Sequence, residues 1–240
     1  MKDKRLDNLI ASRTSLSRRQ VTDLIKKGEL LVNGEVVLSS KEKVDAENDE
    51  IVFCGKRLVY REHTYIMMNK PKGVLSASSD KKAETVVDLV PDELRVNGLF
   101  PAGRLDKDTT GFVLLTDDGD FAHKILSPKN HVYKTYIAEL EKPISDSEIS
   151  TLERGITLSD GTVLKECRIK RLSDEKNRIE IEICEGKFHQ IKRMLHFVNN
   201  EVLVLERVKI GNLTIDNVLK PGECRLLSED EIRVIRDFDE

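Results

Sequence analysis

Residues 103–120 read GRLDKDTTGFVLLTDDGD, a run in which five aspartates stand among threonines, glycines and one arginine. Asp106-x-Asp108-x-Thr110-Gly111 has the opening spacing of a calcium-binding EF-hand loop, with Asp117 at its twelfth position. The competing reading makes one aspartate the chemical group and the others turn and support chemistry. The flanks discriminate between them. NGLFPAGR before Asp106 discourages an entering helix, FVLL after Gly111 is a β-prone apolar run, and the ninth loop position is Leu114, which offers no side-chain oxygen. The run therefore reads as strand, turn and strand, with Asp117-Asp118-Gly119 closing a hairpin after Phe112 to Thr116. Asp117, Asp118 and Asp120 are expected as turn formers, and Asp108 as a local partner of a backbone amide or the Thr110 hydroxyl. Asp106 is left as the candidate for chemistry.

Composition bounds the rest. With 240 residues, 39% of them hydrophobic and 35% charged, the chain has the make-up of an ordinary globular protein able to bury a sizeable core. It has no apolar run long enough to span a bilayer, and MKDKRLDN at its start is not a signal peptide, so a cytoplasmic protein without a membrane partner is expected. Cys54, Cys167, Cys184 and Cys224 lie far apart with no C-x-x-C pair, and the five histidines form no H-E-x-x-H; neither a disulfide framework nor a metal site is expected. A net charge of −3 argues against a uniformly basic nucleic-acid binder, yet the first 34 residues are locally basic.

In that basic region SLSRRQVTDLIKKG predicts a helix, with Ser17 as N-cap, Gln20 three residues on, Val21, Leu24 and Ile25 on one face and Gly28 as the stop. LLVNGEVV follows, with Asn33-Gly34 between two β-prone runs, the strongest short hairpin signal. A domain boundary is expected near residue 60, giving 1–60 and 61–240. Beyond it, strand-like runs (Phe112 to Leu115, Tyr136 to Leu140, and alternating Ile179, Ile181 and Ile183) mix with helical segments, an α+β pattern. After EGK at 185–187 the sequence enters a helix with Ile191, Met194, Leu195 and Val198 as its apolar face.

RLDNLIASRTSLSRRQVTDLIKKGELLVNGEVV resembles an S4-type RNA-binding domain, over roughly residues 4 to 50. Arg18, Arg19, Lys26 and Lys27 would then grip phosphates. GRLDKDTTGFVLLTDDGD resembles the catalytic-aspartate motif of the pseudouridine synthases, in the branch acting on the small ribosomal subunit. MNKPKG at 68–73, SPKNHVYKTY at 127–136, EGKFHQIKRML at 185–195 and the tail ERVKIGNL with KPGECRLLSEDEI match that branch in order.

The resemblance implies a catalytic domain built on a mixed, largely antiparallel sheet flanked by helices. Its reaction breaks the bond between ribose C1′ and uracil N1 and rejoins the base through C5, without redox change, so neither metal nor cofactor is required. By this resemblance Asp106 is the catalytic aspartate, Tyr136 the tyrosine that stacks on uracil, and Lys192 the cation that favours the ionised carboxylate. Lysine stands at 192 where many relatives carry arginine, which removes a bidentate fork. By the same resemblance Arg104 would fill the space vacated by the flipped base. Lys70 and Lys72 form an RNA-facing turn, and His189, Gln190 and Arg193, at a helix N-terminus, face RNA.

The implied partner is ribosomal RNA, and a monomer is expected. The implied substrate is a uridine of 16S rRNA, the site numbered 516. A 23S rRNA enzyme and a non-catalytic assembly factor stay open as alternatives. An S4-containing methyltransferase would need a glycine-rich cofactor turn, which the sequence lacks.

Overall fold

A computed structural model of the chain describes residues 4–172 and 177–236. The chain forms two compact units, Met1–Thr64 with Val90–Leu99, and Tyr65–Leu89 with Phe100–Glu240.

The first unit runs β1 (Lys4–Arg5), α1 (Leu6–Ser12), α2 (Arg18–Lys26), β2 (Leu30–Val32), β3 (Glu35–Val36), β4 (Lys43–Val44), β5 (Ile51–Phe53) and β6 (Lys56–Arg57). Helix α2 starts where the sequence predicts: the Ser17 hydroxyl accepts from the Gln20 amide while the Gln20 side chain accepts from the Ser17 amide, a closed capping box worth about 1 kcal/mol. Its apolar residues Val21 and Ile25 are buried with Leu6, Leu9, Ile10 and Leu30 in a core of this unit's own. The Asn33-Gly34 turn joins β2 to β3 as an antiparallel hairpin. Arg18, Arg19, Lys26 and Lys27 are exposed, and Arg18 also pairs with the nearly buried Asp7 at 3.2 Å.

The second unit contains β7 (Tyr65–Lys70), β8 (Phe100–Pro101), β9 (Thr110–Thr116), α3 (Gly119–Leu126), β10 (Lys134–Leu140), α4 (Asp146–Glu153), β11 (Arg168–Arg171), β12 (Arg178–Ile183), α5 (Gln190–Phe197), β13 (Val202–Ile210), β14 (Leu213–Thr214), β15 (Cys224–Leu226) and α6 (Glu229–Arg236). Its main sheet has the order β11-β12-β10-β13-β9-β7-β15, with β14 on β13 and β8 on β9. Every pairing is antiparallel except β13 with β9, which gives the mixed, largely antiparallel α+β architecture the sequence implies. Among the described residues no helix is long and apolar enough to cross a membrane.

The segment after β9 corrects one expectation. Asp118 does not close a hairpin; it caps α3, its carboxylate accepting from the Phe121 amide at 2.9 Å and from the Tyr65 hydroxyl at 2.6 Å. Asp-Gly is a turn signal only when a strand follows, and here GDFAHKIL buries Phe121, Ala122 and Ile125 on one helical face. Asp120 lies in the first turn, where a negative charge suits the helix dipole.

The parallel junction sets the shape of the sheet's centre. Gly111 pairs with Arg207, and a Cβ on Gly111 would stand 2.3 Å from the Arg207 carbonyl oxygen and 3.0 Å from its amide nitrogen. Its φ of +93° is also one that side chains disfavour. Gly111→Ala is expected to cost about 3 kcal/mol of stability, from backbone strain together with overpacking. Gly222→Ala, at a similar φ of +91° but in open space, is expected to cost about 1 kcal/mol. Denaturant unfolding of the two variants measures the difference; equal losses would mean that the close approach of β9 and β13 carries no energy.

Candidate active site

Asp106 lies on the loop that leads from β8 into β9, and that loop is fastened from beneath by the segment following β7. The Ser76 hydroxyl donates to the Leu105 carbonyl and accepts from the Leu105 amide, both at 3.0 Å. The Gly73 amide donates to the Lys107 carbonyl at 2.7 Å. Lys70, at the end of β7, is fully buried and its ammonium donates to the carbonyls of Pro71, Lys107 and Thr109 at 3.1, 3.3 and 2.9 Å. The expectation of an RNA-facing Lys70 is therefore overturned: its stem continues a strand buried on both sides, and its amine is turned inward onto the loop carrying Asp106. Lys72 is exposed.

The second wall comes from the turn between β12 and α5. Gln190 is buried; its side-chain oxygen accepts from the Lys187 amide at 2.9 Å and its amide nitrogen donates to Glu185 at 3.0 Å. The buried Glu185 carboxylate also accepts from the Lys165 amide at 2.9 Å. These bonds commit Gln190, which also lines the cleft, to shaping the turn. His189 caps α5 with a left-handed backbone, φ +46°, and its Nε2 comes within 3.6 Å of an Asp106 carboxylate oxygen. Arg193, one turn into the helix, is ion-paired with Asp160.

Lys192 reaches Asp106 at 3.5 Å but is bound more closely to Asp108, at 2.6 and 2.7 Å to its two oxygens. Asp108 is thus a partner of Lys192 as well as of its own backbone amide, the local bond that the sequence reading expected. The hydrogen bond from Lys192 holds the Asp108 carboxyl below its ordinary range. A loop residue and a helix residue 84 positions apart meet here, a contact that local sequence cannot disclose.

Tyr136, on β10, completes the cleft. It is opposite Arg207 of β13, whose buried guanidinium lies 5.9 Å from the Tyr136 ring centroid and donates through Nε to the Phe112 carbonyl at 2.7 Å. Sequence reasoning did not single out Arg207, and it gave Asp108 a local supporting role without its contact to Lys192. A cleft of about 60 Å³ is lined by Arg104, Asp106, Thr109, Tyr136, Ile183, Lys187, His189, Gln190, Lys192 and Leu205. Arg104 is exposed at its rim. The cleft joins a carboxylate, a cation, an imidazole and an aromatic ring on a firmly held base.

Comparison with known proteins bears on what such a cleft does. The family model described as RNA pseudouridylate synthase matches residues 64–197, and that of the S4 domain matches residues 4–51. The uncharacterised RNA pseudouridine synthase YtzG of Bacillus subtilis is 44% identical over 236 residues, 97% of this chain and 98% of that protein. Ribosomal small subunit pseudouridine synthase A of Haemophilus influenzae is 38% identical over 230 residues, 95% of this chain and 97% of its own. The crystal structure of a pseudouridylate synthase, 37% identical, superimposes with a TM-score of 0.67 over 96% of this chain and 99% of that one.

The Lys70 anchor has a pH signature. Burial pushes its amine from 10.5 down to about 8, against the opposing pull of the Asp108 and Asp106 charges. Between these values the unfolded chain holds the proton that the folded chain has released, so stability from this group rises with pH. The stability advantage of the wild type over Lys70→Met is expected to be constant below about pH 8 and to widen toward pH 10.5. Urea unfolding at stepped pH checks it; an advantage that shrinks over that window would contradict the buried ammonium.

Proposed function

The chain belongs to the RNA pseudouridylate synthase family, and from that premise we propose that it isomerises one uridine of 16S rRNA, at the site numbered 516, with Asp106 as nucleophile. The observation that carries this reading is the meeting of Asp106 with Lys192 at 3.5 Å and His189 at 3.6 Å in a cleft also lined by Tyr136. The small-subunit substrate is supported by the relative of that name, which is 38% identical over 95% of this chain.

The target uridine leaves its stack, at a cost of a few kcal/mol, and enters the cleft. Arg104 at the rim takes the vacated space, where a planar guanidinium stacks on bases. The Asp106 carboxylate attacks at the ribose, the C1′–N1 bond breaks, and the uracil turns while the cleft retains it against Tyr136. C5 then displaces the Asp106 carboxylate from C1′, so the ester bond breaks as C1′–C5 forms; the C5 proton passes to solvent and N1 takes up a proton, and atoms and electrons balance without a redox partner.

Lysine at 192 gives a point charge rather than a fork. Asp108 offsets that: with its two oxygens at 2.6 and 2.7 Å it holds the ammonium, which stands 3.5 Å from Asp106, so that a single cation serves the catalytic carboxylate in one orientation. Arg18, Arg19, Lys26 and Lys27 of the S4 domain bind RNA phosphates and contribute affinity without sequence choice.

Release of tritium from 5-tritiated 16S rRNA tests the reaction. The wild type is expected to release one equivalent per RNA, and Asp106→Asn to lose activity by at least a thousandfold while still binding RNA. Retained activity in Asp106→Asn contradicts its role as nucleophile. Release from 23S rRNA in place of 16S rRNA contradicts the substrate.

A further inference from the structure

Phe188 is 75% exposed although it immediately precedes the N-cap of the helix that carries Lys192. It is not a loose side chain. Its ring lies flat on the His189 imidazole, with centroids 3.8 Å apart and planes at 17°. Consecutive residues present their rings in parallel here because His189 adopts φ +46°, a conformation that costs about 1 kcal/mol in a residue other than glycine and persists only where the surroundings enforce it. The enforcement is visible: Gln190 ties the Lys187 amide to the buried Glu185 carboxylate, which fixes the turn on both sides of Phe188. One face of the stack is thus covered by His189, whose Nε2 is 3.6 Å from Asp106. The other face of Phe188 is open.

From this geometry we infer that Phe188 is a stacking platform for an unpaired RNA base next to the target uridine. The inference rests on the reading of the cleft as a uridine site. A base laid on Phe188 continues the column of rings that ends at Asp106, and Lys187 next to it in the chain and Arg193, whose guanidinium donates to the Phe188 carbonyl at 3.5 Å, bring positive charge to this turn for the RNA backbone. RNA favours this occupant over an apolar protein segment because the platform is one ring wide and bordered by cations. Aromatic stacking accepts any base, so the platform positions the strand and does not read its sequence. Flipping a uridine breaks its stacking with its neighbours, and a platform beside the cleft gives one of those neighbours a new partner.

Three variants separate stacking from bulk. With 5-tritiated 16S rRNA, Phe188→Ala and Phe188→Leu are expected to raise KM about tenfold with kcat nearly unchanged, the amount that one base stack contributes to affinity. Phe188→Tyr is expected to behave as the wild type. Because the side chain is exposed, none of the three removes core packing. A Leu variant as good as the wild type, or a fall in kcat with KM unchanged, overturns the platform. A second measurement does not depend on turnover or on the identity of the rRNA. A uridine-rich single-stranded RNA carrying one 2-aminopurine is titrated with Asp106→Asn protein, and its fluorescence is expected to be quenched on binding, the quench being lost when Phe188→Leu is added. No quench with the Asp106→Asn parent, or an equal quench with Leu at 188, overturns the platform. A wild type inactive on 16S rRNA with the quench intact overturns the substrate reading alone.

Discussion

Where β9 runs parallel to β13, Gly111 lies so close to the Arg207 carbonyl that no side chain fits between them. This seam joins the two halves of the sheet. On one side β9 is the continuation of the loop carrying Asp106; on the other, β13 places Arg207 opposite Tyr136 on β10. Spreading the seam by the width of a methyl group would move Asp106 and Tyr136 apart, since each is tied to its own half. The same Arg207 donates across the seam to the Phe112 carbonyl, so the guanidinium fastens the strands that its backbone brings together.

On that base the cleft is assembled from two rigid turns. Lys70, Gly73 and Ser76 hold the backbone on either side of Asp106, and Gln190 with Glu185 holds the turn before α5. Both anchors bond mainly to backbone, which fixes the path of the chain and leaves the outward side chains free for substrate. Between the turns stands one ammonium shared by two carboxylates. Lys192 is bound by Asp108 and stands 3.5 Å from Asp106, an arrangement built from two loop residues and one helix residue.

Much of this was legible in the sequence. The Ser17 capping box, the Asn33-Gly34 hairpin and the alternating isoleucines of β12 depend on residues within a few positions of each other, and each appears as read. The calcium loop failed on local grounds as well, at FVLL, which is the buried strand β9. What escaped were contacts between distant segments. Asp118-Gly119 resembles a hairpin turn until the amphipathic GDFAHKIL is weighed as a helix, and the Tyr65 hydroxyl that holds Asp118 is 53 residues away. Lys70 and Gln190 look like surface residues because lysine and glutamine usually are; their burial depends on carbonyls and a carboxylate that tertiary structure brings to them. Asp108 and Lys192 meet only when the β8–β9 loop and α5 are folded together.

The account stands on that shared ammonium, and a double-mutant cycle of Asp108→Asn and Lys192→Arg measures it most directly, by single-turnover tritium release from 5-tritiated 16S rRNA. Asp108→Asn alone is expected to slow the reaction by about ten- to a hundredfold, because the unheld ammonium swings away from Asp106. Lys192→Arg alone is expected to change it little. Together they are expected to restore most of the wild-type rate, since an arginine fork orients itself on Asp106 without help. A double variant as slow as Asp108→Asn alone would contradict the account, since Asp108 would then act by a route other than the orientation of Lys192.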